Sequence, residues 1–177
     1  AITLVSIDGG PSERLSYEHD IANLDLDARY SPDGSEIAFR RGASPYSDLY
    51  VVGANGGAVR QVTHLASRMR GFDWTRDGSA LVVSSGHEGP QALYTVSLED
   101  GRIESLGVRP AEFPSAARAS DTVVYEIPRL RTQLGTIDIG AGQSVAHDLV
   151  ASTGNDVAPT FSPVDDRVAF VSDRSGA

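Results

Sequence analysis

The apolar positions of this chain fall in short runs without a helical period. Ile37-Ala38-Phe39 and Leu81-Val82-Val83 are apolar at every position, as a strand covered on both faces must be. Each follows a turn. Tyr30-Ser31-Pro32-Asp33-Gly34 joins an aromatic to Pro, which presets φ, to Asp, which can bond its own backbone, and to Gly, which accepts φ > 0. Trp74-Thr75-Arg76-Asp77-Gly78 has the same order. A third strand reads Leu49-Tyr50-Val51-Val52 and then Leu93-Tyr94-Thr95-Val96, with hairpin turns at Ala54-Asn55-Gly56-Gly57 and Glu99-Asp100-Gly101. More polar outer strands follow at Val59–Thr63 and Arg102–Leu106, where polar side chains limit edge pairing. No helix of useful length is expected anywhere.

These units repeat. Ala28–Phe39, Phe72–Val83 and Pro159–Phe170 align directly, and Pro114–Tyr125 aligns after losing its aromatic and its Asp-Gly turn. The anchors Tyr30, Trp74, Ala116 and Phe161 are 44, 42 and 45 residues apart. A period in the low forties with four strands per unit is the spacing of a β-propeller. The expected fold is all-β, with about four four-stranded antiparallel blades. The expected repeats cover residues 24–63, 68–107, 110–150 and a blade split between 155–177, its inner strands, and 1–16, its outer strands. Ala1–Gly10 aligns with Ala92–Gly101, a third strand and its turn. Two arrangements stay open. Either the N- and C-terminal strands pair and close a ring, or the chain is part of a larger propeller whose open end blades meet other sequence or a second copy in a homo-oligomer.

Composition narrows the function. A formal net charge of -9 disfavours nucleic acid, which needs clustered Lys and Arg. No apolar run approaches the length of a membrane helix, so no membrane insertion of this region is expected. The absence of Cys excludes a disulfide, a thiolate metal site and a Cys nucleophile. No Gly-x-Ser-x-Gly elbow or zinc-type His pair occurs, so no catalytic residue and no bound organic cofactor is expected. The histidines His19, His64, His87 and His147 are far apart in sequence. Asp33-Gly34, Asp77-Gly78 and Asp165-Asp166 read as turn chemistry.

Two constellations remain. Asp25, Asp27, Asp73 and Asp156 lie just before or on the innermost strands, which line a propeller's channel. Carboxylates converging there suit Ca²⁺. The loops of one face are expected to carry His19, Tyr46, His64, Arg68, Arg70, His87, Arg129, Arg131 and Arg174, a surface for a protein or peptide partner. Arg68-Met69-Arg70 and Arg129-Leu130-Arg131 are basic spots fit for an acidic peptide or a carboxylate.

The blocks Tyr30–Ser35, Phe161-Ser162-Pro163, Val171–Gly176 and Asp48–Val52 with Arg60–Thr63 resemble the TolB-type, WD-like propeller repeat. The resemblance spans nearly the whole chain and is weakest in the third repeat. It implies a non-catalytic binding module, periplasmic as in TolB or cytoplasmic. Similar repeats form sensory domains of membrane-anchored winged-helix transcription regulators. They also form the gating propeller of prolyl-oligopeptidase-like serine peptidases, whose catalytic domain would lie outside this chain. An enzyme on the propeller itself, a lyase or a glycosidase, is the least favoured reading, since no catalytic cluster is recognisable.

Overall fold

The computed structural model describes residues 1–19, 22–43, 45–128, 132–140, 145–150 and 154–174. Among these residues there are sixteen strands and no helix. The chain forms two compact units, Ala1–Arg68 and Met69–Ala177.

The first unit opens with a hairpin of β1 (Thr3–Leu4) and β2 (Glu13–Arg14). A meander follows: β3 (Leu24–Tyr30), β4 (Glu36–Gly42), β5 (Tyr46–Gly53) and β6 (Arg60–Gln61), each antiparallel to the one before. Ile37, Ala38 and Phe39 of β4 are buried on both faces, as their unbroken apolar run requires. Ile2 and Leu15 of the N-terminal hairpin pack against Ile37, Phe39 and Val52. The start of β7 (Ser67–Trp74) pairs with β5, Tyr46 opposite Arg68.

In the second unit β7 continues into a meander with β8 (Ala80–Ser85), β9 (Ala92–Ser97) and β10 (Ile103–Ser105). Another is made by β11 (Glu112–Ala116), β12 (Thr122–Ile127), β13 (Gln133–Asp138) and β14 (Ala146–Val150). A hairpin of β15 (Asp156–Phe161) and β16 (Val168–Ser172) follows. Val82 and Leu93 of one sheet meet Ala116, Val123, Tyr125 and Ile137 of the next in a shared core. In β16 the exposure alternates instead, and Val171 is 64% exposed.

All four inner hairpins share one design. The residue after the anchor donates its N–H across the turn: Ser31 to Glu36, Thr75 to Ala80, Ala117 to Thr122 and Ser162 to Arg167, at 2.8–2.9 Å. The third does so without an Asp-Gly pair in the turn, which accounts for its weak sequence match. Pairing runs in register from the anchor and then slips by one residue in each, between Leu26/Arg29, Glu112/Ser115 and Val157/Thr160 and, one position further from its anchor, between Met69/Phe72. Each slip is a bulge with a left-handed residue three before the anchor. These are Asp27 (φ 55), Gly71 (φ 92), Phe113 (φ 49) and Ala158 (φ 54).

Candidate functional site

The bulge sets what each inner strand displays. It bends the strand and re-aims the side chains on either side of it. Only one of the four left-handed positions is Gly. A Cβ on Gly71 would stand 3.1 Å from Phe113 Cα, so the close approach of β7 to β11 needs the glycine. Phe113 itself is bulky, left-handed and 39% exposed. Strain of that kind collects where a protein binds or reacts.

One residue before the anchor, a side chain staples its sheet to the next. The Asp73 carboxylate accepts the Ala116 N–H at 2.9 Å and faces Arg118 Nη2 at 3.2 Å. Ser115 Oγ accepts the Phe161 N–H at 3.4 Å.

The four carboxylates expected to converge on a metal each have a separate task. The Asp25 side chain is fully buried. The Tyr17 hydroxyl donates to it at 2.6 Å, Arg41 Nε at 2.7 Å, and His19 Nδ1 lies 2.8 Å away. Burial raises the Asp25 pKa, but the donors from Arg41, Tyr17 and His19 outweigh it and hold the group below the usual 3.8. Burial and the same bond push Tyr17 up to about 12. Asp27 accepts Arg40 Nε at 2.7 Å, and Asp73 serves as the staple. Asp156 is fully buried, and Arg174 Nε stands 3.3 Å from its Oδ1. Among the described residues no three His, Asp or Glu side chains gather as a metal site.

Of the residues expected on the recognition face, Tyr46 begins β5 and is 61% exposed, while Arg68 and Arg70 stand within β7 and not in the loop before it. Their alternation with Met69, which is buried, makes Arg68-Met69-Arg70 a strand pattern. Tyr46 and Arg68 are register partners. His64 is exposed in the loop after β6, and His19 faces Asp25. Arg174 lies over the Phe170 ring at 5.3 Å. Arg129 and Arg131 fall outside the described residues. The His87 ring is tilted against that of Tyr94, with centroids 4.5 Å apart and 56° between the planes. It also stands 3.1 Å from Ser85 Oγ and 3.8 Å from Glu88 Oε1. The set has the residue types of a hydrolytic relay, but Ser85 is fully buried and has no access to a substrate.

Sequence reasoning passed over Glu112 and Glu126. They face each other across β11 and β12, a relation visible only once the bulge and register are known. Burial raises the Glu126 pKa, and Glu112 nearby adds to it. Elsewhere in this unit a groove of about 790 Å³ runs between the turns of β7–β10 and β12–β13, with Arg76, Asp77, Asp100, Arg102 and Asp121 on its walls.

Successive four-stranded antiparallel meanders with bulged inner strands define a β-propeller domain. The chain belongs to the family of the tricorn protease N-terminal beta propeller domain, matched over residues 2–177. A TolB homolog of Chlorobium luteolum is 26% identical over 172 residues, covering 95% of this chain and 39% of that protein. A structure from Agrobacterium tumefaciens described as TolB superposes with a TM-score of 0.80 at 22% identity, over 96% of this chain and 62% of that one. A puromycin-hydrolyzing peptidase of Mycobacterium tuberculosis shares the fold, with a TM-score of 0.63 at 16% identity over 84% of this chain and 29% of the peptidase. The domain is thus TolB-like and shares its fold with part of that peptidase. It spans about half the length, or less, of the curated relatives it matches.

Proposed function

We propose that this domain is a non-catalytic binding module for a protein or peptide partner, acting in the periplasm as TolB-like propellers do. One observation carries the reading. Four equivalent bulges hold one backbone geometry while presenting Asp27, Gly71, Phe113 and Ala158. A constant frame with different side chains at equivalent positions suits recognition, because binding residues are best held on a rigid scaffold. Catalysis would instead require a nucleophile or acid–base pair in reach of substrate, and the Ser85–His87–Glu88 set lacks that access. In its oligomeric form, the module would use the free edges of its terminal hairpins. A photo-crosslinking residue at position 113, compared with one at position 104 on an outer strand, tests the reading in an envelope extract. Capture of a discrete partner from position 113 alone is expected. Capture from neither position, or turnover of a peptide panel by the isolated domain, overturns it.

The structural likeness to a puromycin-hydrolyzing peptidase favours a second reading, an accessory or gating propeller beside a serine peptidase domain. A peptidase domain encoded in the same polypeptide would establish it. A winged helix and a membrane span encoded there would instead make the module the sensory half of a regulator.

A further inference from the structure

We infer that the groove between the β7–β10 sheet and the turns of β11–β13 is a second binding site, for a free short peptide held by its two charged ends. β8 and β9 build one wall. Ala80 stands opposite Ser97 and Val82 opposite Thr95, so all four leave one face of the sheet. Val82 belongs to the core shared with the next sheet, and Ile139, just after β13, packs on that same core. Ala80, Thr95 and Ser97 carry the face outward from the core and, with Ile139 and Gly140, line the groove. Its volume of about 790 Å³ lies within the roughly 300–1,000 Å³ of small-ligand pockets. None of the bulge residues Gly71, Phe113 and Ala158 lines it.

The charges on its walls divide into engaged and free. Asp77 accepts the Thr75 hydroxyl at 2.7 Å and the Ser79 N–H and hydroxyl at 3.1 and 2.8 Å. Asp100 accepts the Arg102 N–H at 3.1 Å, and Arg102 Nη2 meets Glu104 Oε1 at 2.7 Å. Arg76 and Asp121 differ from these. Both are exposed, and neither side chain makes a hydrogen bond or ion pair with another described residue. They stand on different walls, Arg76 in the β7–β8 turn and Asp121 in the β11–β12 turn.

A free cation and a free anion on facing walls match a ligand with the opposite charges at its two ends. A peptide with free termini is such a ligand, since its amine titrates near about 8 and its carboxyl near about 3.5. The Arg76 guanidinium suits the carboxylate, which it can hold by two parallel N–H bonds. Asp121 takes the ammonium. Gly140 leaves room there: a Cβ on it would stand 3.6 Å from Asp121 Oδ2. Asp77 and Asp100 keep their charge while bonded, so the groove favours the ammonium end more strongly. Between the ends, Ala80 and Ile139 offer apolar surface to side chains, and Thr95 offers a hydroxyl to the peptide groups.

The test titrates alanine peptides of two, three and four residues calorimetrically against the whole chain, each with free ends, N-acetylated or C-amidated. A free peptide of one length is expected to bind about ten-fold tighter than its acetylated form and several-fold tighter than its amide. Asp121→Asn brings the free and acetylated forms together and leaves the amide ratio standing. Arg76→Gln does the reverse. A merely structural loss would lower all forms alike. Gly140→Val weakens the free peptide by filling the room beside Asp121. Arg167→Gln, on the β15–β16 turn, changes neither ratio. Binding indifferent to both end blocks, or no binding of any free peptide at millimolar concentration, overturns the proposal. So does an amide that binds as well as the free peptide, which would make this a site for a cation alone. Partner capture from position 113 reads other residues, so the binding-module reading stands or falls separately.

Discussion

Replacing Asp25 by Ala should cost this domain a large part of its stability. The carboxylate is fully buried and takes donors from Tyr17 at 2.6 Å and Arg41 at 2.7 Å. The Arg41 side chain is only 10% exposed, and its guanidinium lies over the Phe39 and Tyr50 rings at 5.2 and 5.1 Å. Truncating Asp25 strands that charge and the Tyr17 hydroxyl together. Breaking a buried pair by removing one partner costs about 3–5 kcal/mol. A domain of this size has about 5–15 kcal/mol in total. With a urea slope of about 1–3 kcal/mol/M, the midpoint should fall by roughly 1–5 M. Asp25→Asn keeps the shape but loses the charge-assisted bonds, at a cost of about 1.5–3 kcal/mol. Asp25→Leu with Arg41→Met should recover most of the loss, since apolar replacement of both partners is often neutral. The pH dependence has a definite sign. The folded pKa lies below the unfolded value of 3.8. The contribution is therefore complete above about pH 4 and is lost as pH falls through the folded value. If Asp25→Ala stays within about 1 kcal/mol of the parent, or its deficit fails to shrink in acid, the account of this cluster is wrong.

The other predictions concern the repeat design. Asp73→Ala removes the staple to Ala116 and the partner of Arg118, and should cost about 2–4 kcal/mol in urea, with faster hydrogen exchange at the Ala116 amide. Gly71→Val must enter the left-handed region and press on Phe113, and should lower stability by more than about 2 kcal/mol. Ala158→Gly relieves left-handed strain at an exposed site but adds unfolded-chain entropy, so a small gain of about 0.5 kcal/mol is expected by the same assay. Hydrogen bonds from Ser31 and from the Ser35 backbone and hydroxyl hold the Asp33 carboxyl down at about 2, which a carbon-detected NMR titration should show directly.

How much of this was legible in the residues follows from what each feature depends on. Tyr30–Gly34 and Trp74–Gly78 announce their hairpins because φ at Pro and φ > 0 at Gly are local properties. The bulges left no such mark. Asp27, Phe113 and Ala158 carry the left-handed backbone without glycine, because neighbouring strands impose it. Arg68 and Arg70, expected in a loop, extend β7, since strand boundaries depend on pairing.

The chain by itself determined that it would be a repeating all-β domain. Short runs, turn residues and a period in the low forties are local facts, and local sterics enforce them. The tertiary structure decided which side chains meet. It assigned Asp25 to Arg41 and Tyr17, Asp73 to Ala116 and Arg118, and set Glu112 opposite Glu126. These pairings join residues 8 to 45 positions apart, and a one-residue slip at a bulge changes the face on which each one lies. That slip arises from strand against strand, which is why no reading of the residues in order placed Glu112 opposite Glu126.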